Sequence, residues 1–261
     1  MTGAPLEELW RYRELFYFLV WRDIKVRYKQ TVLGAAWAVI QPFFTMVVFT
    51  IFFGRLAGMP SDGVPYPIFT YSALVPWTYF SVALAFGGNS LVANTGLVSK
   101  VYFPRVALAA APVIGGLVDF AIASTVLIAM MTYYGVAPSA ELMLWPLLIL
   151  PLAILTLGIG MVLAALNVRY RDVKYAIPFG IQLLLFLTPI IYPTSMVPDK
   201  YKLLLFLNPL TGIIEAFRAA LLPERTIDWA ALAVSSAITS VVFAFGYVYF
   251  HRTEREFADI I

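Results

Sequence analysis

Six stretches of this chain carry almost no charge over the length a helix needs to cross a lipid bilayer. A spanning helix takes about 20 predominantly apolar residues. Such stretches occur at Gln30 to Gly54, Tyr66 to Phe86 within the charge-free run Gly63 to Ser99, and Val106 to Tyr134. They recur at Leu142 to Val168, from Tyr175 into the Pro189–Pro193 region, and at Trp229 to Phe250. Only the third is interrupted, by Asp119. With some tilt, each is long enough to span. A water-soluble domain runs nearer a quarter charged, whereas this chain is 13% charged and 61% hydrophobic. The expected fold class is an all-α membrane protein with six transmembrane helices, formed by residues 1–261 as a single transmembrane domain.

Charge sets the expected orientation. The first stretch begins about 30 residues in and lacks a short apolar core with a small-residue cleavage site, so the chain is expected to keep its own N-terminus. If both termini are cytoplasmic, the inner segments 1–30, 87–105, 169–174 and 251–261 hold 13 of the 18 Lys and Arg residues. The outer segments hold the other 5, together with the acids Asp62, Glu141, Asp199, Glu215, Glu224 and Asp228. This bias follows the positive-inside rule. The net charge of +3 is accordingly read as topology, not as a footprint for nucleic acid.

Two segments fit neither a span nor a plain loop. Within 196–228, Leu203 to Ile214 is apolar but 12 residues long, broken at Asn208-Pro209 and followed at once by Glu215 and Arg218. Two short helices that enter from the outer face and return would preserve the topology, since irregular backbone is tolerated at depth where protein surrounds it. An amphipathic hairpin lying on the membrane is the alternative. The second segment, residues 6–29, reads as an interfacial helix: Arg11, Glu14, Arg22, Lys25 and Lys29 share one arc, with Leu9, Phe16 and Val20 opposite. Arg13 and Arg27 fall on the apolar side and are expected to reach back to the headgroups. The charged face serves either as a lipid anchor or as part of a docking surface for a cytoplasmic partner.

Function is narrowed mainly by what is missing. Without cysteine and with His251 alone, thiol chemistry, zinc ribbons and histidine constellations are excluded from the sequence. No nucleophile–base pair, paired carboxylates or metal-ligand cluster stands out, so no catalytic or metal residues are assigned. None of the six lysines follows a glycine, so the chain lacks a phosphate-cradling G-x-x-x-x-G-K motif. Any ATP and magnesium must belong to a second polypeptide. Asp119 is the one ionisable group within a span, and its role is either functional or a structural bond to a neighbouring helix or a dimer mate.

The positive signals are aromatic and basic. Trp37, Phe43 and Phe44 in the first span, Tyr71 and Trp77 in the second, and Tyr192 in the fifth are candidates to line a conduit. Ring faces stack on the C–H faces of sugars, so a nearly uncharged aromatic path lets a neutral glycan slide. Most aromatics in spans face lipid or the interfacial belt, which is the competing assignment for each. The inner segment Leu97 to Arg105 mixes Lys100, Tyr102, Phe103, Pro104 and Arg105. A short helix there, seated in a groove of a soluble partner, would move two spans at once; an ordinary interfacial turn is the alternative.

The run Arg22 to Trp37, continuing to Gln41-Pro42, resembles the start of the permease subunits of type-two ABC polysaccharide exporters, which serve O-antigen, capsule and teichoic acid. Three further pieces are similar in order: Lys100 to Arg105, Asn167 to Asp172, and Asn208-Pro209 with Arg218. The resemblance implies a homodimer around a central conduit over a separate ATPase dimer in the bacterial inner membrane, with a lipid-linked polysaccharide as cargo. It implies ATPase coupling through Arg22, Lys25 and the 97–105 loop. It also implies a cytoplasmic entrance near Arg169, Arg171 and Asp172, and a periplasmic gate over 199–222 that includes Asn208, Pro209, Glu215 and Arg218. An ion-gradient carrier of a small lipid or sugar, coupled through Asp119, is the alternative from another class.

Overall fold

The computed structural model describes residues 11–29, 34–222, 225–254 and 257. Leu9 of the N-terminal segment, Gln30 to Leu33 of the first motif, Glu224 and most of the tail lie outside the described residues. The secondary structure of the described residues is helical, without strands. The elements are α1 (Arg13–Lys29), α2 (Trp37–Phe49, entered by a 3₁₀ turn at Gly34–Ala36 and continued as π-helix over Thr50–Leu56), α3 (Tyr66–Ala93) and α4 (Thr95–Lys100). They continue with α5 (Val106–Tyr134), α6 (Trp145–Arg169), α7 (Val173–Leu187), α8 (Asp199–Leu207), α9 (Pro209–Leu221) and α10 (Trp229–Thr253).

Among the described residues, five segments are long and apolar enough to cross alone: Gly34–Leu56, Tyr66–Ala93, Val106–Tyr134, Ala140–Arg169 and Trp229–Thr253. The second overruns its expected end at Phe86 by seven residues, because Gly87, Gly88, Ser90 and Leu91 are buried and keep the helix packed to Ala93. The expected fifth span is only 15 residues of helix, α7, or about 22 Å against a hydrocarbon core of about 30 Å. It nevertheless runs the length of the bundle. Ile177 lies against Gly88 near one end of α3, and the carbonyl of Ile191 accepts from the Tyr66 hydroxyl at the other end, 2.7 Å away. Those two α3 positions are roughly 33 Å apart along a helix axis. The remainder is covered by the non-helical stretch Thr188–Ile191, which is buried in protein where unpaired backbone can be satisfied internally.

Helix α3 is the axis of the bundle: α2, α5, α6, α7 and α9 all pack on it. Membrane helices associate by close packing and polar contacts because lipid gives little hydrophobic drive between spans. Both devices are present. An aromatic cluster joins four helices, with Phe120 5.1 Å from Trp145 and 5.8 Å from Phe217, and Tyr79 5.9 Å from Phe120. The Trp145 indole donates to the Phe217 carbonyl at 3.1 Å and the Tyr79 hydroxyl to the Val113 carbonyl at 3.0 Å. Between α6 and α10 the backbones themselves touch: a Cβ on Gly158 would lie 2.8 Å from Phe243 Cα, and one on Gly246 would strike the Gly158 carbonyl.

The pair α8 and α9 bends by 101° at Asn208. The Asn208 carboxamide caps α9 by accepting from Leu210 N–H at 3.1 Å, and Pro209 supplies its first turn. Almost all of α9 is buried against α3, α6 and α10, whereas α8 is exposed. Helix α9 is therefore a core helix of the bundle. We expect Gly246→Leu to force α6 and α10 apart and to cost about 1–3 kcal/mol. A lowered midpoint in thermal unfolding of the detergent-solubilised protein checks this, and an unchanged midpoint would show that the two helices separate freely.

Candidate functional site

One end of the bundle gathers the segments assigned to the cytoplasm. Asn94 closes α3, donating to the Ser90 carbonyl at 2.8 Å and accepting from Arg22 Nη1 at 2.9 Å, so α1 is tied to the start of the 94–105 loop. Arg22 also pairs with Asp23 at 3.0 Å, while Lys25 lies outward, 5.3 Å over the Trp21 ring. The loop forms the short helix α4 and then turns. Val98 and Phe103 insert into an apolar cluster with Leu19, Val106, Phe250 and Phe257, leaving Phe103 buried. Arg105 donates through its backbone N–H to Glu254 Oε1 at 3.3 Å and through its guanidinium to the Glu254 carbonyl.

Phe103 and Arg105 thus hold the loop to their own chain. Pro104 is half-buried beside them. Lys100, Val101 and Tyr102 remain outward, with Tyr102 76% exposed. At the same end Asn167 donates to the Gly88 carbonyl at 3.1 Å and to Asn89 Oδ1 at 2.9 Å, fixing α6 to α3. The following turn leaves Arg169, Arg171 and Asp172 exposed, with Arg169 5.9 Å over the Tyr170 ring.

Midway along α5, Asp119 has two partners. Arg27 Nη1 lies 2.5 Å from Oδ2, and the Tyr28 hydroxyl donates to Oδ1. Helix α1 therefore does not hold Arg27 up to the headgroups, as its helical phase suggested. It packs on α5, with Val20 and Ile24 against Gly115, and carries Arg27 to the carboxylate. Its outward side also bears Tyr17, Phe18 and Trp21, so charge and apolar surface are not cleanly divided. Burial, then the hydrogen bond to Asp119, push the Tyr28 phenol above its ordinary value, keeping it protonated as a donor. Both carboxylate oxygens of Asp119 are thus engaged by α1.

Beside this triad lies a cavity of ≈ 180 Å³, where Trp37 and Gln41 of α2 meet Thr78 and Val82 of α3. Trp37, Phe43 and Phe44 are exposed on α2. Tyr71 and Trp77 are not available to a conduit: both are buried in the bundle, where the Tyr71 hydroxyl reaches the Ala123 carbonyl at 3.5 Å and Trp77 packs 5.6 Å from Phe80. Aromatic content alone could not separate core rings from outward ones. Tyr192 is half-buried, its hydroxyl 3.4 Å from the Phe186 carbonyl. The incompletely covered stripe of α3 is instead Thr78, Ser81, Val82, Ala85, Phe86 and Asn89, at helical spacing between α2 and α7.

At the opposite end, charges converge from three segments. Glu215 pairs with Arg218 and, at 3.0 Å, with Arg225, which also pairs with Asp62. Asp62 accepts from Ser195 Oγ at 2.8 Å and adopts a left-handed backbone (φ 50°) that these bonds hold in place. Arg218 is wholly buried, donating to the Pro189 carbonyl at 2.9 Å and lying 3.8 Å over the Phe69 ring. Asn208 Nδ2 donates to Thr188 Oγ1 at 2.9 Å. Of the proposed gate residues, Glu215 and Arg218 belong to one charged cluster, while Asn208 bonds beside it to Thr188 and Pro209 opens α9. Asp62 and Arg225, 163 positions apart, escaped sequence reasoning because nothing local links them.

A sequence model of the family described as ABC-2 type transporter matches residues 14–222. The chain belongs to the ABC-2 type transporter family. Relatives agree along nearly the whole length. It is 29% identical over 258 residues to an O-antigen export system permease protein of Myxococcus xanthus, with 98% of each chain covered. It is 28% identical over 251 residues to an O-antigen export system permease protein of Klebsiella pneumoniae, with 95% of each covered. It is 25% identical over 240 residues to the polysialic acid transport protein of Escherichia coli, covering 90% of this chain and 91% of that one. As an ABC-2 transporter subunit the chain is a transport component and not an enzyme, and an ion-gradient carrier working through Asp119 is not favoured.

In this ABC-2 subunit the Arg27–Asp119 pair should behave as a mutual neutralisation. Arg27→Met or Asp119→Leu alone leaves an unpaired charge and should cost about 2 kcal/mol each. The double variant should cost less than their sum. Thermal unfolding followed by tryptophan fluorescence tests this; strictly additive losses would mean the pair contributes no coupling.

Proposed function

We propose that this chain is the membrane-spanning permease of an ATP-driven exporter that carries a lipid-linked polysaccharide across the bacterial inner membrane. O-antigen is the first candidate cargo, with capsule or teichoic acid next. The observation that carries this reading is the end-to-end similarity to O-antigen export permeases, 98% of both chains in one case. In this reading both termini are cytoplasmic, as the clustering of 13 of the 18 basic residues on that side favours.

The permease works as a homodimer seated on a dimer of a separate ATPase, which holds the ATP and magnesium. Two copies face each other through the exposed sides of α2 and α7, where Trp37, Gln41 and Phe44 on one helix and Phe179, Gln182 and Phe186 on the other have no cover in the single chain. The glycan passes over these rings and over the hydroxyl and amide groups of Thr78, Ser81 and Asn89. Uncharged hydroxyls and rings give a sugar many weak, exchangeable contacts and no deep well, which suits a sliding polymer. Arg169, Arg171 and Asp172 lie at the entrance.

Coupling to ATP hydrolysis passes through the outward side of α4 and the turn after it, chiefly Lys100 and Tyr102, with Arg22 and Lys25 of α1 beside it. Motion of α4 reaches α3 directly through Asn94, α1 through Arg22, and α10 through the Arg105–Glu254 contact. At the far end the α8–α9 pair is the periplasmic gate, closed by the charge cluster around Glu215.

Reconstitution of the chain with its ATPase should give glycan export that needs ATP and ignores an imposed proton gradient. Export driven by the gradient without ATP would reverse the assignment. Lys100→Glu with Tyr102→Asp should reduce ATPase co-purification several-fold while the permease remains folded, whereas Phe103→Asp should damage folding itself. Trp37→Ala should slow export without dissociating the complex, and unaltered flux would return that ring to a lipid-facing role.

A further inference from the structure

At the gate end of the molecule the first span leaves α-helical geometry. Thr50–Leu56 is π-helical, and beyond it Ala57 N–H donates to the Phe52 carbonyl, five residues back, at 2.9 Å. Such widened turns are rare and concentrate at functional positions. Between this segment and the last third of α5 lies an apolar groove of ≈ 550 Å³, lined among others by Met46, Thr50, Ile51, Arg55, Met130 and Tyr133. A space needs only about 10–15 Å³ to admit one water. In a membrane-spanning bundle, a groove of this size and character is a place for hydrocarbon.

Its polar features are few and unused. Arg55 is exposed and has no hydrogen-bond or ion-pair partner among the described residues. The other described basic residues of this end are engaged: Lys202 with Asp199 at 2.7 Å, Lys200 4.6 Å over the Tyr201 ring, and Arg218 and Arg225 in the Glu215 cluster. The Thr50 hydroxyl is buried in the groove wall without a partner. At the end of α5, Tyr133 is 83% exposed and Tyr134 41% exposed, the amphipathic rings that mark headgroup depth in membrane proteins.

We propose that this groove is a binding site for an anionic phospholipid of the surrounding leaflet. Its phosphate sits on the Arg55 guanidinium, one acyl chain fills the space between Met46, Ile51 and Met130, and the Thr50 hydroxyl donates to a glycerol-ester oxygen. A guanidinium pairs with a phosphate through two parallel hydrogen bonds, and an otherwise unpaired cation beside hydrocarbon finds that anion in the headgroup layer. The groove's polar groups suffice for a phosphodiester headgroup but offer few partners for a sugar. The site lies between α2 and α5 of one chain, apart from the Trp37 cavity, and its occupant does not depend on which glycan is exported.

The test uses the full chain in lipid nanodiscs of phosphatidylcholine with or without phosphatidylglycerol, and counts retained lipid by native mass spectrometry. The wild type should retain phosphatidylglycerol in preference to phosphatidylcholine and unfold at a higher temperature when it is present. Arg55→Gln should lose roughly five-fold of that preference, about the worth of one basic residue at a membrane surface. Ala129→Trp, which fills the groove and leaves Arg55 in place, should lose retention as well; gel filtration checks that both variants are folded. Absence of preference in the wild type, or an unchanged preference in Arg55→Gln, would overturn the proposal. Displacement of phosphatidylglycerol by an equal amount of a polyprenyl phosphate would overturn it too, reassigning the groove to the cargo's lipid carrier.

Discussion

The structure depends on the burial of α3. Within its most apolar stretch 78% of the residues are buried, against 11% for the first span and 17% for the last. In hydrocarbon a helix gains little from hiding apolar side chains, so its neighbours must be held by shape and by hydrogen bonds. Around α3 that requirement is met by the Tyr79 and Tyr66 hydroxyls reaching carbonyls of other segments and by the Phe120–Trp145–Phe217 stack. Because α2 and α7 touch α3 along one side only, their aromatic outer faces stay open, and the function proposed here is a consequence of that lopsided packing.

Charge is used sparingly and always in company where it is buried. The Arg27–Asp119–Tyr28 triad fixes α1 to the middle of α5, so a push on the outer surface of α1 is carried into a spanning helix. The Glu215 cluster does the corresponding work at the other end, joining the 57–65 loop, the segment after α7 and the approach to α10. Each removes the cost of an isolated ion by pairing it. Each also joins parts of the chain that must move relative to one another if the passage opens.

Much of this was legible in the residues. The boundaries of the third span, Val106 to Tyr134, coincide with α5 because Pro104 precedes it and Gly135 adopts the left-handed conformation that ends it. Asn208-Pro209 announced the break between α8 and α9 for the same local reasons, a side-chain cap followed by a residue that starts a helix well. Asp119 and Arg27 were each visible as misfits, one acid within a span and one cation on an apolar face, yet nothing in helical phase said that each was the other's partner. The burial of Phe103 was not legible, because a phenylalanine in a basic loop looks the same whether it points outward or into its own core.

Charge-free run lengths, cap residues and the distribution of lysine and arginine depend on neighbours within a few positions, and from them the sequence alone determined a multi-span helical membrane protein with defined ends. Which rings face outward, where the short α7 finds the rest of its crossing, and how Asp62 meets Arg225 depend on contacts between residues tens to more than a hundred positions apart. Those are decided only when the helices pack, because side-chain direction and long-range proximity are properties of the assembled bundle and not of any stretch within it.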